Sequence, residues 1–165
     1  MTTNKTNAMR ILDSAGIEYK VHEYPHKDNE AVDGVTVAEL LGEDPDTVYK
    51  TLVTRGASAP NRAYYVFCIP VAYELDMKAA AKAVGEKSIE MLHVKELMGI
   101  TGYIRGGCSP IGMKKQFPTV IHEDMILIDT ILVSGGKIGV QVELSPDELL
   151  KVTGGKTADI ARAKA

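Results

Sequence analysis

Apolar residues recur along the chain with two different periods, and each period predicts a type of secondary structure. A spacing of three and four residues, as at Ala8, Ile11 and Leu12, is typical of a helix with one buried face. Thr36 and Ser145, each followed three positions later by glutamate, have the spacing of helix-capping boxes. These signals predict short helices over residues 4–15, 36–42, 77–85, 94–99, 145–152 and, at the end of the chain, 157–165.

Runs rich in β-branched and aromatic residues, several of them alternating in polarity, predict strands. They cover residues 17–24, 49–55, 63–69, 119–123, 130–135 and 139–144. The second and third runs are predicted to be neighbours in a hairpin, and a tight Gly-Gly-Lys turn joins the last two. The strands do not alternate strictly with the helices. We therefore predict a mixed α/β (α+β) fold, formed by residues 1–165 as a single domain around one curved sheet flanked by short helices.

Composition limits the class of protein. The chain has 165 residues, 45% apolar and 25% charged, as in ordinary globular domains. It has no apolar run of the ~20 residues that span a bilayer and begins without a signal peptide, so no membrane partner is expected. Two cysteines without paired spacing favour a reducing, cytoplasmic location. The net charge of −3 argues against DNA binding by charge alone but permits a small contact with RNA.

Neither a metal site nor a nucleotide-binding loop is predicted, and no cofactor is expected. The four histidines lack the spacing of metal ligands, since His22 and His26 lie on either side of a predicted strand end and a proline. The sequence Gly-Gly-Lys-Thr at 154–157 resembles the end of a phosphate-binding P-loop. The P-loop pattern requires a glycine at position 150, where this chain has Leu150.

The stretch 101–115, TGYIRGGCSPIGMKK, is the strongest candidate for chemistry on the residues alone. The pair Gly106-Gly107 allows unusual backbone angles, so successive N–H groups can converge on an anion or an oxyanion. The alternative is a plain irregular connection. Cys108 has no histidine nearby in sequence to form a thiolate, and Cys68, in an apolar strand, is interpreted as a small core residue.

Lys50 stands near the start of a predicted strand, between Tyr49 and Thr51. An edge lysine that keeps its ammonium group in water is one interpretation. A functional cation is the other, and the residues alone leave both open.

Three ordered blocks, VYKTLV (48–53), TGYIRGGCSPIGMKKQFPTVI (101–121) and SGGKIGVQVEL (134–144), resemble the YbaK/EbsC family over nearly the whole chain. The resemblance implies a single α/β domain with a barrel-like mixed sheet, similar to the editing insertion domain of bacterial prolyl-tRNA synthetase. It also implies a trans-editing deacylase for mischarged Cys-tRNA(Pro), or Cys-tRNA(Cys), acting on the acylated 3′ end. Prolyl-tRNA synthetase is the implied partner.

The resemblance also assigns residues. Lys50 matches the functional lysine, and the thiol of the bound cysteine is expected to attack its own ester. The implied substrate-binding residues are Tyr24, Thr51, Gly106, Gly107, Ser109, Pro110, Ser134, Gly135, Gly136 and Gln141. The Gly-rich loop is then a backbone platform, and Cys108 is incidental.

Gln141 departs from the family pattern, because the best-known branch carries an acid at that position. An amide accepts a hydrogen bond but holds no charge, so amino-acid choice stays open. The alternatives are a deacylase for another aminoacyl-tRNA, such as Ala-tRNA(Pro), and a non-catalytic module that binds an aminoacyl-adenosine or a synthetase.

Overall fold

The computed structural model describes residues 5–28, 30–57 and 63–164. The helices are α1 (Asn7–Ser14), α2 (Gly34–Leu41), α3 (Met77–Ala83), α4 (Val94–Thr101) and α5 (Pro146–Thr153). The strands are β1 (Lys20–Glu23), β2 (Tyr49–Gly56), β3 (Tyr64–Pro70), β4 (Tyr73–Leu75), β5 (Ile89–Met91), β6 (Thr119–His122), β7 (Ile131–Ser134), β8 (Val140–Leu144), β9 (Lys156–Ala158) and β10 (Ala161–Ala163). Short 3₁₀ turns cover Pro45–Thr47 and Glu123–Leu127. Within the described ranges, every helix is too short, or too polar, to cross a membrane.

The strands form three sheets. The largest has the order β5-β2-β3-β6-β9, with β2 antiparallel to β3 and parallel pairing from β3 through β6 to β9. A second sheet has the order β1-β8-β7, and β4 pairs with β10 in the third. A parallel bridge between Val48 and Leu132 joins the start of β2 to β7, so the first two sheets meet next to Lys50.

Two apolar cores lie on opposite faces of the largest sheet. The alternation of side chains along β3 sends Cys68 into the core that includes Leu12 and Ile131, while Phe67 and Ile69 enter the core beneath α3. All five side chains are fully buried. Burial of this kind is the main favourable term in folding, and it fixes the register that places Lys50 opposite Ile69.

The mixed α/β class is confirmed, and the predicted hairpins β2–β3 and β7–β8 are present. A single barrel-like sheet is not, because the described strands divide among three sheets that do not close. The cap of α2 is Asp33, whose carboxylate accepts from the amides of Val35 and Thr36, rather than the predicted Thr36. Ser145 occupies the N-cap of α5 but forms no side-chain capping bond.

The prediction of a helix over 157–165 was wrong. The described part of this segment contains β9 and β10, which pair with β6 and β4. Between them, Ile160 is fully buried in the core beneath α3. Pairing and burial contributed by distant residues therefore outweigh the helical preference of an alanine-rich stretch.

Candidate active site

A cavity of about 120 Å³ lies where the first two sheets meet the 106–110 loop. Six of the residues implied by the family resemblance line it: Tyr24, Lys50, Thr51, Gly106, Ser134 and Gln141. Val32, Gly34, Val37, Val48, Tyr49, Val71 and Cys108 complete the wall. The fold thus brings together residues from five separate parts of the sequence in a cavity that is mostly apolar and contains a few polar groups, the usual character of a ligand site.

Lys50 is the cation of this cavity. It is half-buried and forms no hydrogen bond or ion pair with any described residue. Burial lowers the pKa of Lys50, and the positive charge of Lys164 lowers it further, while Asp33 and Glu74 oppose these effects. Because no contacting carboxylate neutralises it, the ammonium group is available to an anionic ligand or to a developing negative charge.

Gln141 and Tyr49 present polar atoms without partners. Gln141 lies on β8, is 7% exposed, and its buried Oε1 accepts no hydrogen bond from the described residues. The buried hydroxyl of Tyr49 is also unpaired, and burial is the main cause of its raised pKa. An unpaired buried group costs about 1–3 kcal/mol. Gln141 lines the cavity, so a ligand bound there can supply the partner that its Oε1 lacks. The Tyr49 hydroxyl is influenced instead by Asp124 and Asp46, which are not among the cavity residues.

The hydroxyl groups at the cavity have no base to activate them. The Ser134 hydroxyl accepts from the amide of Gly136 at 3.2 Å, and Thr51 Oγ1 contacts Cys68 Sγ at 3.8 Å. Burial raises the pKa of Tyr24. Among the described residues that line the cavity, none is a histidine, aspartate or glutamate. The described hydroxyl groups therefore have no imidazole or carboxylate partner of the kind that activates a serine or threonine nucleophile in a catalytic triad.

The 106–110 loop approaches the β7–β8 turn closely. A Cβ on Gly107 would lie 2.8 Å from backbone atoms of Lys137 and Ile138, so only glycine fits there. Gly106 has φ +85° and lines the cavity. The amide of Gly107 donates to the Ile104 carbonyl at 3.0 Å and is not available to a ligand. The expected backbone platform therefore has fewer amide groups available to a ligand than the glycine pair suggests.

Five residues implied by the resemblance do not line the cavity: Gly107, Ser109, Pro110, Gly135 and Gly136. They shape the loops behind it. Ser109 is fully buried, and its hydroxyl accepts from the amide of Ile111 at 3.2 Å. The amide of Gly135 donates to Val140 at 2.9 Å and closes the β7–β8 turn. Gly136 takes φ +105° in that turn.

Cys108, interpreted from the sequence as incidental, lies in the cavity wall. It is 8% exposed, and burial raises the pKa of its thiol to about 12. The thiol is therefore protonated near neutral pH, which argues against a nucleophilic role. Other wall residues gave no signal in the sequence. Gly34, for example, packs so closely that a Cβ there would lie 2.5 Å from Val71 Cγ1, a contact between residues 37 positions apart.

One group of possible metal ligands lies outside this cavity. Ligand atoms of His22, Glu43 and Glu143 lie within 4.8 Å of one another. His22 Nε2 is 2.7 Å from Glu143, which also accepts from Thr130. The Thr130 hydrogen bond, ahead of His22, lowers the pKa of Glu143. Sequence spacing did not reveal this group because its members come from three different elements.

Comparisons with known proteins identify the family of the chain. The model of the aminoacyl-tRNA editing domain family matches residues 28–152. A protein of Enterococcus faecalis (strain ATCC 700802 / V583), named "Putative Cys-tRNA(Pro)/Cys-tRNA(Cys) deacylase EbsC", is 46% identical over 159 residues, covering 96% of this chain and 94% of that protein. The chain therefore belongs to the aminoacyl-tRNA editing domain family, and the resemblance identified from the sequence is confirmed.

Solved structures share the fold. One is described as "Crystal structure of a putative trans-editing enzyme for prolyl tRNA synthetase"; it is 25% identical, with a TM-score of 0.81, and the match covers 98% of this chain and all of that one. A second, "Crystal structure of hypothetical protein APE2540", has a TM-score of 0.82 at 21% identity and covers 95% of this chain and all of that one. The second likeness concerns the fold alone.

Proposed function

We propose that this chain is a trans-editing enzyme that deacylates mischarged Cys-tRNA(Pro). The proposal extends to Cys-tRNA(Cys) as a second substrate. Family membership and the name of the E. faecalis relative support an aminoacyl-tRNA deacylase. The observation that carries the proposal is the unpaired Lys50 in a small cavity that also presents the unpaired Gln141 Oε1. An aminoacyl ester brings the two partners that these groups lack, a carbonyl oxygen and an α-ammonium group.

The size of the cavity favours the aminoacyl group as its occupant. Sites for drug-sized molecules measure about 300–1,000 Å³, whereas this cavity measures about 120 Å³. A small amino acid fits such a volume, and a nucleoside does not. The ester carbonyl then lies beside Lys50, and the tRNA remains outside.

The proposed reaction uses the thiol of the substrate as the nucleophile, because the residues that line the cavity include no imidazole or carboxylate to activate a protein nucleophile. The cysteinyl sulfur attacks the carbonyl carbon of its own ester, forming an S–C bond and a tetrahedral oxyanion. The C–O bond to the ribose then breaks, the thiol proton passes to the ribose oxygen, and a thiolactone leaves that water later opens. Lys50 stabilises the oxyanion electrostatically, and Gln141 Oε1 accepts from the α-ammonium group.

Recognition of the tRNA is proposed to be local, with prolyl-tRNA synthetase supplying tRNA identity. The net charge of −3 leaves few cations for phosphate contacts. Lys115 and the α3 residues Lys78 and Lys82 are exposed and available for them. If this is right, selectivity among Cys-tRNAs appears only when the synthetase is added. Equal selectivity with and without it would remove the partner from the proposal.

The test of the activity is single-turnover deacylation of Cys-tRNA(Pro) by the wild-type chain against the uncatalysed rate in buffer. We expect a fast first-order loss of the ester. A rate equal to that in buffer would contradict the deacylase proposal. The non-catalytic binding module would then be the remaining alternative. A panel of tRNAs charged with other amino acids, measured in parallel, separates the cysteine deacylase from a deacylase of different specificity.

A further inference from the structure

A second groove, of about 270 Å³, borders the cavity. The two share three wall residues, Thr51, Gly106 and Cys108, so the groove begins where the cavity ends. Apolar side chains from β5 and α4 form much of the groove. His93 and Arg105 add a ring and a guanidinium group.

The groove side chains are unusually available to a ligand. Met91 is 41% exposed and Val94 is 58% exposed, although both are large and apolar. Arg105 is exposed and forms no ion pair or hydrogen bond within the described ranges. His93 stands at the N-cap of α4, yet its side chain makes no capping bond. Apolar surface combined with an unpaired cation is suited to a ligand that has both a flat apolar face and a negative charge.

We propose that this groove binds the terminal adenosine of the acceptor end, an inference that rests on the function proposed above. The ester joins the aminoacyl group directly to the terminal ribose, so the nucleoside must lie against the mouth of the cavity. RNA bases that have left a helical stack are commonly held on histidine rings, on arginine guanidinium planes and by apolar contacts. The groove provides all three beside the wall residues that it shares with the cavity, and the cavity itself is too small for a nucleoside.

The groove side of the cavity provides a cation for a phosphate. Near Lys50 the charges are mixed, because Asp33 and Glu74 raise its pKa whereas burial and Lys164 lower it. On the groove side, Arg105 offers an unpaired guanidinium group, which pairs well with phosphate.

The first experiment measures binding without chemistry. The probe is 3′-deoxy-3′-(L-cysteinylamino)adenosine, whose amide replaces the ester, and the variants are Met91→Ala/Val94→Ala and Arg105→Gln. We expect each to weaken binding by about fivefold or more, the loss typical of a contact that matters. Ile126→Ala/Leu127→Ala and Arg10→Gln change exposed residues of the same types outside both sites, and they are expected to bind as the wild type does. Equal affinity in all five proteins would overturn the proposal.

The second experiment separates the groove from the cavity by kinetics. The groove variants are expected to raise KM for Cys-tRNA(Pro) by about fivefold or more, while cleavage of cysteine methyl ester, which has no nucleoside, stays unchanged. Equal losses on both esters would indicate damage to the cavity and would contradict the assignment.

Failure of the proposed function has a different signature. In that case the wild type cleaves neither ester, but binding of the amide probe can still be measured in the wild type and in the groove variants. The proposal for the groove is then supported or overturned by the binding measurement alone.

Discussion

Two of the three Gly-Gly pairs in the chain, at 106–107 and 154–155, can be compared, since each has a lysine nearby and their surroundings differ. Gly154 ends α5 with φ +65°, and a Cβ added there would meet nothing within 4 Å. Gly107 instead faces the backbone of Lys137 and Ile138, where a Cβ would lie at 2.8 Å. Gly154 is a helix stop exposed to solvent, whereas Gly107 allows two loops to meet beside a cavity.

The lysines differ in the same way. Lys156, next to the 154–155 pair, donates from Nζ to the Ala83 carbonyl at 2.6 Å. Lys50, across the cavity from Gly106, has no described partner. A lysine whose ammonium group is hydrogen-bonded can stabilise the fold. A half-buried lysine without a partner loses hydration energy that no contact within the protein restores, so its retention is explained by function. Local sequence cannot separate the two cases, since the partners come from distant residues.

Among substitutions that test the difference between Lys50 and Lys156, the largest effect is expected on catalysis. Lys50→Ala is expected to lower the single-turnover rate on Cys-tRNA(Pro) by about 100- to 1,000-fold, because one preorganised charge at the oxyanion is lost. The matched variant Lys156→Ala is expected to keep the wild-type rate. Similar losses in both variants would show that Lys50 acts through stability and not at the reacting ester.

The glycine pairs predict a difference in stability. Gly107→Ala is expected to lower the free energy of unfolding by about 1–3 kcal/mol, since its Cβ overlaps backbone atoms that cannot move independently. In Gly154→Ala the added Cβ faces open space, so the free energy of unfolding is expected to fall only by the cost of a left-handed backbone at a non-glycine residue, about 1 kcal/mol. Denaturant titration measures both. A smaller loss for Gly107→Ala than for Gly154→Ala would contradict the close approach of the two loops.

Gln141→Leu tests the unpaired acceptor. It is expected to lower kcat/KM on Cys-tRNA(Pro) by about tenfold, the value of one hydrogen bond to a charged group. Its free energy of unfolding is expected not to fall, because the folded protein loses no hydrogen bond at Oε1. A loss of stability matching the loss of activity would mean that Gln141 is structural.

The smallest effect is on the pH profile. The charge of Lys164 lowers the pKa of Lys50. Removing that charge in Lys164→Gln is therefore expected to raise the pKa of Lys50. Activity that requires protonated Lys50 is lost as pH rises through the pKa, so the alkaline limb moves to higher pH. Lys164→Arg keeps the charge and is expected to keep the wild-type limb. An identical limb in all three proteins would show that Lys50 does not control it.

Much of the fold was predictable because its signals are local. The periods of 49–55 and 63–69 predicted β2 and β3, and the helix predicted over 77–85 contains α3. Residues 157–165 were mispredicted because β9 and β10 exist only through pairing with β6 and β4. Short edge strands of three residues carry too little sequence pattern to be recognised alone.

The site was predictable only in part. Its blocks resemble a family, and Lys50 and Gln141 were found through that resemblance. The residues Gly34, Val37 and Val71 reach the cavity through packing of α2 against the residue that follows β3. Nothing in their immediate sequence distinguishes them from core residues, because cavity walls and cores use the same apolar side chains.

The most direct test of the account compares Cys-tRNA(Pro), Ser-tRNA(Pro) and Ala-tRNA(Pro) with the wild-type chain under single-turnover conditions. All three aminoacyl groups fit the cavity, but only cysteine carries a thiol that can attack its own ester. The account predicts that the cysteinyl ester is lost far faster than the other two. Equal rates on all three would contradict substrate-thiol assistance and would indicate direct attack of water on the ester.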